Sequence, residues 1–209
     1  VPRHLPIADA PDARQLEELA ALLRDGGVVL LPTDTIYGLH ARALDERAVE
    51  RIVDLKGRAE TKPFVVLASD IAQLTDLGIA ADPDLLQRLA SIWPAPLTAI
   101  LPLTRPIAAS RGMATLAVRI PALDWLRALT GRTGPLVSTS ANRSGEPPVD
   151  RPESLARELH DALDAIVDTG ARSGEPSAIV DLTSAEPRFI REGERSFTQN
   201  LRKSLWKSL

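Results

Sequence analysis

Four short polar segments hold the side chains able to handle charge and phosphate. Pro32-Thr33-Asp34-Thr35-Ile36-Tyr37-Gly38-Leu39 sets two hydroxyls, a carboxylate and the only tyrosine directly after the apolar run Val28-Val29-Leu30-Leu31. Ligands of layered α/β folds bind in the crevice beyond the strand ends. A plain turn whose hydroxyls bond their own backbone uses the same residue types. Lys56-Gly57-Arg58-Ala59-Glu60-Thr61-Lys62-Pro63 gathers three cations around a glycine. Arginine as a planar fork and lysine as a point charge suit a polyphosphate; cations that complement a helix C-terminus look alike. Of 25 basic residues only Lys56, Lys62, Lys203 and Lys207 are lysine. Two of the four therefore fall in this one polar loop, where truncation is expected to leave no core cavity. Ser138-Thr139-Ser140-Ala141-Asn142 packs three hydroxyls and an amide into five residues. Short polar side chains and free backbone N–H groups there form a nest for phosphate or a base edge. Gly174-Glu175-Pro176-Ser177 is a further polar turn before an apolar run. None of these is a Walker loop.

These segments need a scaffold, and the composition supplies one. With 209 residues, 44% of them hydrophobic and 25% charged, the chain suits one large α/β domain. The absence of cysteine excludes disulfides, thiol nucleophiles and Cys-based metal or iron–sulfur sites. His4, His40 and His160 fall in no metal-ligand spacing. No apolar run approaches the ~20 residues of a membrane helix, and no signal-peptide core is present, so a cytoplasmic protein is expected. The net charge of −3 and an aromatic content of 3% argue against a broad basic surface or a stacking platform for nucleic acid.

The spacing predicts a helix starting at Pro11, with Leu16, Leu19, Ala20 and Leu23 on one face, stopped by Gly26-Gly27. A doubly buried strand over 28–31, a helix over 45–55, a strand over 64–67 and a helix opened by Asp82-Pro83 follow. Strands over 97–103 and 115–120, a short helix over 121–129 and a strand over 136–138 come next. A helix over 152–160 and strands over 165–168, 178–181 and 188–191 complete the pattern. Interleaved helices and short apolar strands call for a sheet covered on both faces. From Glu194 onward one acid faces Arg195, Arg202, Lys203 and Lys207, a basic tail that could form a short packing helix.

Taken in order, the motifs carry a resemblance. They are Pro32-Thr33-Asp34-Thr35…Tyr37-Gly38-Leu39, Lys56-x-Arg58…Lys62-Pro63, Trp93-Pro94-x-Pro96-Leu97-Thr98, Leu116-Ala117-Val118-Arg119-x-Pro121, Ser138-Thr139-Ser140-Ala141-Asn142-x-Ser144-Gly145 and Pro176-Ser177…Val180-Asp181. The chain resembles the YrdC-type threonylcarbamoyl-AMP synthases, which start the N6-threonylcarbamoyladenosine modification of transfer RNA. The resemblance implies a single-domain α/β fold, a twisted mixed sheet flanked by helices with a concave, positively charged cavity. It sets a catalytic domain over 1–193 apart from a basic tail over 194–209. It implies L-threonine, bicarbonate or CO2, and ATP as substrates, with Mg²⁺ held mainly by the ATP phosphates. Downstream threonylcarbamoyl transferase machinery acting on tRNA would use the product, and weak RNA binding is compatible.

By motif, Lys56 and Arg58 are the expected catalytic cations. Arg58, Lys62, Thr115, Ser140, Asn142 and Arg191 face ATP; Thr35, Leu67, Arg119, Ser138 and Ser177 surround threonine. Two departures stand out: Ala95 replaces a common glycine, and Leu67 stands where many members have histidine, as an apolar contact at the rim of the threonine pocket. A non-catalytic RNA-binding module on the same fold, or a paralogue with another carbamoyl or acyl acceptor, are the alternatives.

Overall fold

The computed structural model describes residues 1–7, 9–57, 63–143, 145–172, 174–184 and 186–206, the side chains of Leu205 and Trp206 excepted. Strand β1 (Arg3–Pro6) leads to helix α1 (Ala13–Arg24). Asp12 caps α1 by accepting from Gln15 N at 2.8 Å, while the Gln15 side chain accepts from Asp12 N at 3.0 Å. Pro11 therefore lies just outside the helix rather than in its first turn. Strand β2 (Val29–Pro32) turns into β3 (Tyr37–Arg42), and α2 (Glu46–Lys56) follows. Asp45 caps α2, and Gly57 ends it in the left-handed conformation at φ 65°, where a glycine carries no Cβ penalty. Next come β4 (Val65–Leu67), α3 (Ile71–Asp76), α4 (Pro83–Ile92), β5 (Leu97–Pro102) and β6 (Thr115–Arg119). Helix α5 (Asp124–Thr133) and β7 (Leu136–Ser140) precede a 3-10 turn at Pro152–Ser154 and α6 (Arg157–Asp161). Strands β8 (Ala165–Asp168), β9 (Ala178–Asp181) and β10 (Arg188–Arg191) and helix α7 (Arg195–Trp206) close the chain.

The ten strands form one mixed sheet in the order β1-β8-β2-β3-β7-β4-β6-β5-β9-β10. Two apolar layers cover it. Val28 and the residues of β2 after it alternate between them: Val28 and Leu30 enter the larger core with α2 and α4, whereas Val29 and Leu31 pack with Leu16, Leu19 and Leu23 of α1 and Leu126 and Leu129 of α5. That is why the strand reads as an unbroken apolar run.

Several expectations shift. Strand β3 lies where a polar turn ended in the sequence reading. The helix expected over 121–129 begins only at Asp124, because Pro121 and Ala122 form the entering loop. The single helix expected over 152–160 is a 3-10 turn plus a one-turn helix. Within the basic tail Arg195–Trp206 form α7, with Thr198 and Leu201 3% exposed and Leu201 part of the main core. Its boundary with the catalytic domain is therefore one of charge, not of packing.

Candidate functional site

A cleft of about 290 Å³ opens on the face of the sheet that carries the α1/α5 layer. Its floor follows from strand register. Gly38 pairs with Ser140, His40 with Ser138, and Ser138 with Val65. The two-residue period of a strand puts Gly38, Ser138, Ser140 and Val65 on one face, and all four line the cleft. Walls come from the β2–β3 turn, from Arg119 at the end of β6, from Pro176 and Ser177 before β9, and from Arg191 at the end of β10.

In the β2–β3 turn the two roles weighed for the hydroxyls divide between them. Thr33 Oγ1 accepts from Ile36 N at 3.2 Å and Thr35 N at 3.1 Å and donates to Ile36 O at 2.8 Å, so it builds the turn itself. Thr35 Oγ1 lies 2.9 Å from Thr33 Oγ1 and accepts from Arg119 Nη1 at 3.2 Å. Gly174 packs over this turn. A Cβ there would sit 2.3 Å from Thr35 O, so only glycine lets the segment carrying Ser177 close in. Tyr37 is among the lining residues while its side chain joins the larger core, and its hydroxyl donates to Gly170 O at 2.8 Å and accepts from Thr169 N at 3.0 Å.

Arg119 is 5% exposed. Its Nη2 pairs with the Asp34 carboxylate, and Asp34 Oδ2 accepts from Ala122 N at 3.1 Å. Its Nε is buried with no partner. Opposite, Arg191 donates through Nε to Ser177 O at 3.0 Å and through Nη2 toward Ser177 Oγ at 3.4 Å. Ser177 Oγ also meets Thr98 Oγ1 at 2.8 Å. Burial, then the positive field of Arg119, lowers the Arg191 pKa below its ordinary value. Two cations held near each other in this way favour an anion between them.

Lys56 is 2% exposed. From the end of α2 its Nζ donates to Ser140 O at 2.7 Å and Asn142 Oδ1 at 2.8 Å. Ser140 Oγ also donates to Asn142 Oδ1, while Asn142 Nδ2 donates to Glu146 O. The expectation that truncation at Lys56 leaves no core cavity is corrected: Lys56 is a buried tie that shapes the loop after β7. Asn142 borders a second cavity beyond that loop, and Pro148 lines both.

Of the sequence-predicted residues, Thr35, Arg119, Ser138, Ser140, Ser177 and Arg191 meet in the cleft. Arg58 and Lys62 lie outside the described residues. Thr115 begins β6, two residues before the Ala117 that pairs with Val65, and is not among the lining residues. Leu67 is 1% exposed and sits in the α1/α5 core with Leu136 and Trp125. Leu67 pairs in register with Arg119 but is not among the lining residues, whereas Phe64 and Val65 are.

Sequence reasoning passed over Asp34 and His40. Asp34 stood in a recognised motif, yet its partner lies 85 residues away. His40 is fully buried beside the cleft floor. Its Nδ1 bonds Gly38 O at 2.9 Å, and its Nε2 has no partner. A Cβ on Gly38 would meet His40 Cε1 at 2.9 Å and Thr139 O at 3.0 Å, so the imidazole occupies the space under a glycine. Among the described residues no group of His, Cys, Asp or Glu could hold a metal ion, and no helix is long and apolar enough to cross a membrane.

A sheet-floored cleft walled by hydroxyl turns and two neighbouring arginines defines an α/β protein built to hold a small anionic ligand. The chain belongs to the Sua5/YciO/YrdC family, whose sequence model, described as "Telomere recombination", matches residues 21–193. It is 35% identical over 178 residues to the threonylcarbamoyl-AMP synthase of Pyrococcus abyssi, covering 83% of this chain and 52% of that protein. It is 35% identical over 182 residues to the threonylcarbamoyl-AMP synthase of Chromobacterium violaceum, covering 86% of this chain and 94% of that protein. The structure of P. abyssi Sua5 complexed with L-threonine superposes with a TM-score of 0.87 at 29% identity, over 100% of this chain and 62% of that one. The chain thus spans about half the length of the archaeal relative and nearly all of the bacterial one.

Proposed function

We propose that the chain is a threonylcarbamoyl-AMP synthase, forming threonylcarbamoyl-adenylate and pyrophosphate from L-threonine, bicarbonate or CO2, and ATP. The observation that carries this reading is Arg119, buried and oriented on the cleft wall beside Thr35, in a chain similar to a protein solved with L-threonine. Arg119 takes the threonine carboxylate. Thr35, Ser138 and Ser177 read the other polar groups of the amino acid. Ser140 and Arg191 face the nucleotide, and by motif Arg58 and Lys62 would hold its phosphates.

The neutral threonine amine attacks the carbon of CO2, one C=O π bond moves its electrons onto oxygen, and the nitrogen gives up a proton to solvent, leaving a carbamate. A carbamate oxygen then attacks the α-phosphorus, the bond from that phosphorus to the bridging oxygen breaks, and pyrophosphate leaves with the electron pair. Neither step needs a protein nucleophile. The residues hold two anions together against their repulsion and offset charge developing on the phosphates. Mg²⁺ arriving with ATP would be held by phosphate oxygens and water, since the described residues offer no acidic cluster. The product would pass in the cytoplasm to transferase machinery acting on tRNA.

The test is pyrophosphate release from ATP and bicarbonate across a panel of amino acids. Threonine-dependent release is expected; release indifferent to the amino acid, or tight RNA binding without turnover, overturns the reading.

A further inference from the structure

We infer that Asp34 is the positioning residue of the amino-acid half of this site, acting through Arg119; the inference rests on the synthase reading above. Arg119 lines the cleft, whereas Asp34 is not among the lining residues. The carboxylate therefore holds the guanidinium from the side away from the ligand. Both partners are largely buried, with side chains 5% and 10% exposed. One Asp34 oxygen takes Nη2 of Arg119, and the other accepts from Ala122 N at 3.1 Å. Asp34 thus ties the β2–β3 turn, which carries Thr35, both to Arg119 at the end of β6 and to the loop that follows it. A long arginine side chain is loose on its own, and a carboxylate fixes its planar fork in one orientation. With Nη2 held and Nη1 on Thr35, the unpartnered Nε is the remaining edge of the guanidinium.

Charge adds a second effect. Arg119 and Arg191 act on each other electrostatically. Asp34 cancels part of this excess at the Arg119 end, so that end suits the single carboxylate of an amino acid. Without Asp34, two uncompensated arginines suit a multiply charged phosphate. Asp34 is in this sense also a specificity residue, keeping Arg119 for carboxylate.

The experiment compares Asp34→Asn, Arg119→Lys and the double variant in steady-state pyrophosphate release, with calorimetry of threonine and ATP and with inorganic phosphate as inhibitor. Asp34→Asn keeps the side-chain shape and an acceptor for Ala122 N. It should raise the threonine KM by about tenfold, leave kcat at saturating threonine and the ATP Kd within about twofold, and strengthen inhibition by phosphate. The double variant should be no worse than Arg119→Lys alone, because the two residues act as one unit. A thermal melt of each variant accompanies the kinetics; the nucleotide Kd reports that the cleft is intact. Additive losses, an unchanged threonine KM, or a fall in kcat with KM unchanged overturns the inference while the synthase reading stands. Absence of threonine-dependent release in the wild type overturns the reading, and the inference with it.

Discussion

His40 should make the folded protein sensitive to mild acid. Burial is the main cause of its depressed pKa, from 6.5 to about 4; the bond to Gly38 opposes the shift and the charge of Arg119 adds to it. The unfolded chain takes up this proton near the ordinary histidine value, whereas the folded chain resists until about pH 4. Between those values the unfolded state binds more protons, so stability rises with pH and is lost as pH falls through 6.5 toward 4. The full difference is worth about 3 kcal/mol, of which about 2 kcal/mol is gone by about pH 5. Against a typical total of about 5–15 kcal/mol, that loss is large. Urea unfolding of the wild type and His40→Gln between about pH 7.5 and about pH 5 separates this contribution from the surface carboxylates, which both proteins share. The reading is of slopes, so the packing cost of the substitution does not enter. The wild type should lose about 2 kcal/mol more than the variant over that interval, with unchanged m-values. Parallel curves for the two proteins would refute the argument, because they would mean that His40 is solvated, or already charged, in the fold.

Two further substitutions follow from the cleft walls. Lys56→Met removes a buried ammonium from Ser140 O and Asn142 Oδ1, and hydrogen bonds to charged groups are worth about 1.5–3 kcal/mol each. Urea denaturation should show a loss of at least about 2 kcal/mol together with a fall in turnover; an unchanged midpoint would refute the buried tie. Gly174→Ala places a Cβ against Thr35 O, so the segment carrying Ser177 must move outward. The threonine KM should rise by about tenfold or more, since displacements of about 1 Å in positioning groups carry large kinetic costs; an unchanged KM would show that this approach does not shape the pocket.

Much of this protein is written locally. The apolar run that buries β2 on two faces and the Asp82 cap need no tertiary partner to be recognised, because each rests on periodicity or on a bond within four residues. The Asp12 cap is equally local but is hidden behind Pro11, which suits a first helical position. The polar segments after β2 and β7 were equally legible, and so was the group of residues that converges on the cleft. Strand order was not, since β3 inserts beside β7 and β4 beside β6 through pairings about a hundred and about fifty residues apart. Nor were the partnerships that give single residues their roles. Lys56 reads as one more cation of a loop until β7 brings Ser140 and Asn142 over it. Asp34 reads as a turn residue until β6 delivers Arg119. Leu67 reads as a pocket residue by motif, yet its side chain belongs to the layer under α5. In each case side-chain chemistry is carried by the sequence, while burial and the identity of the opposite charge arise only when distant strands meet.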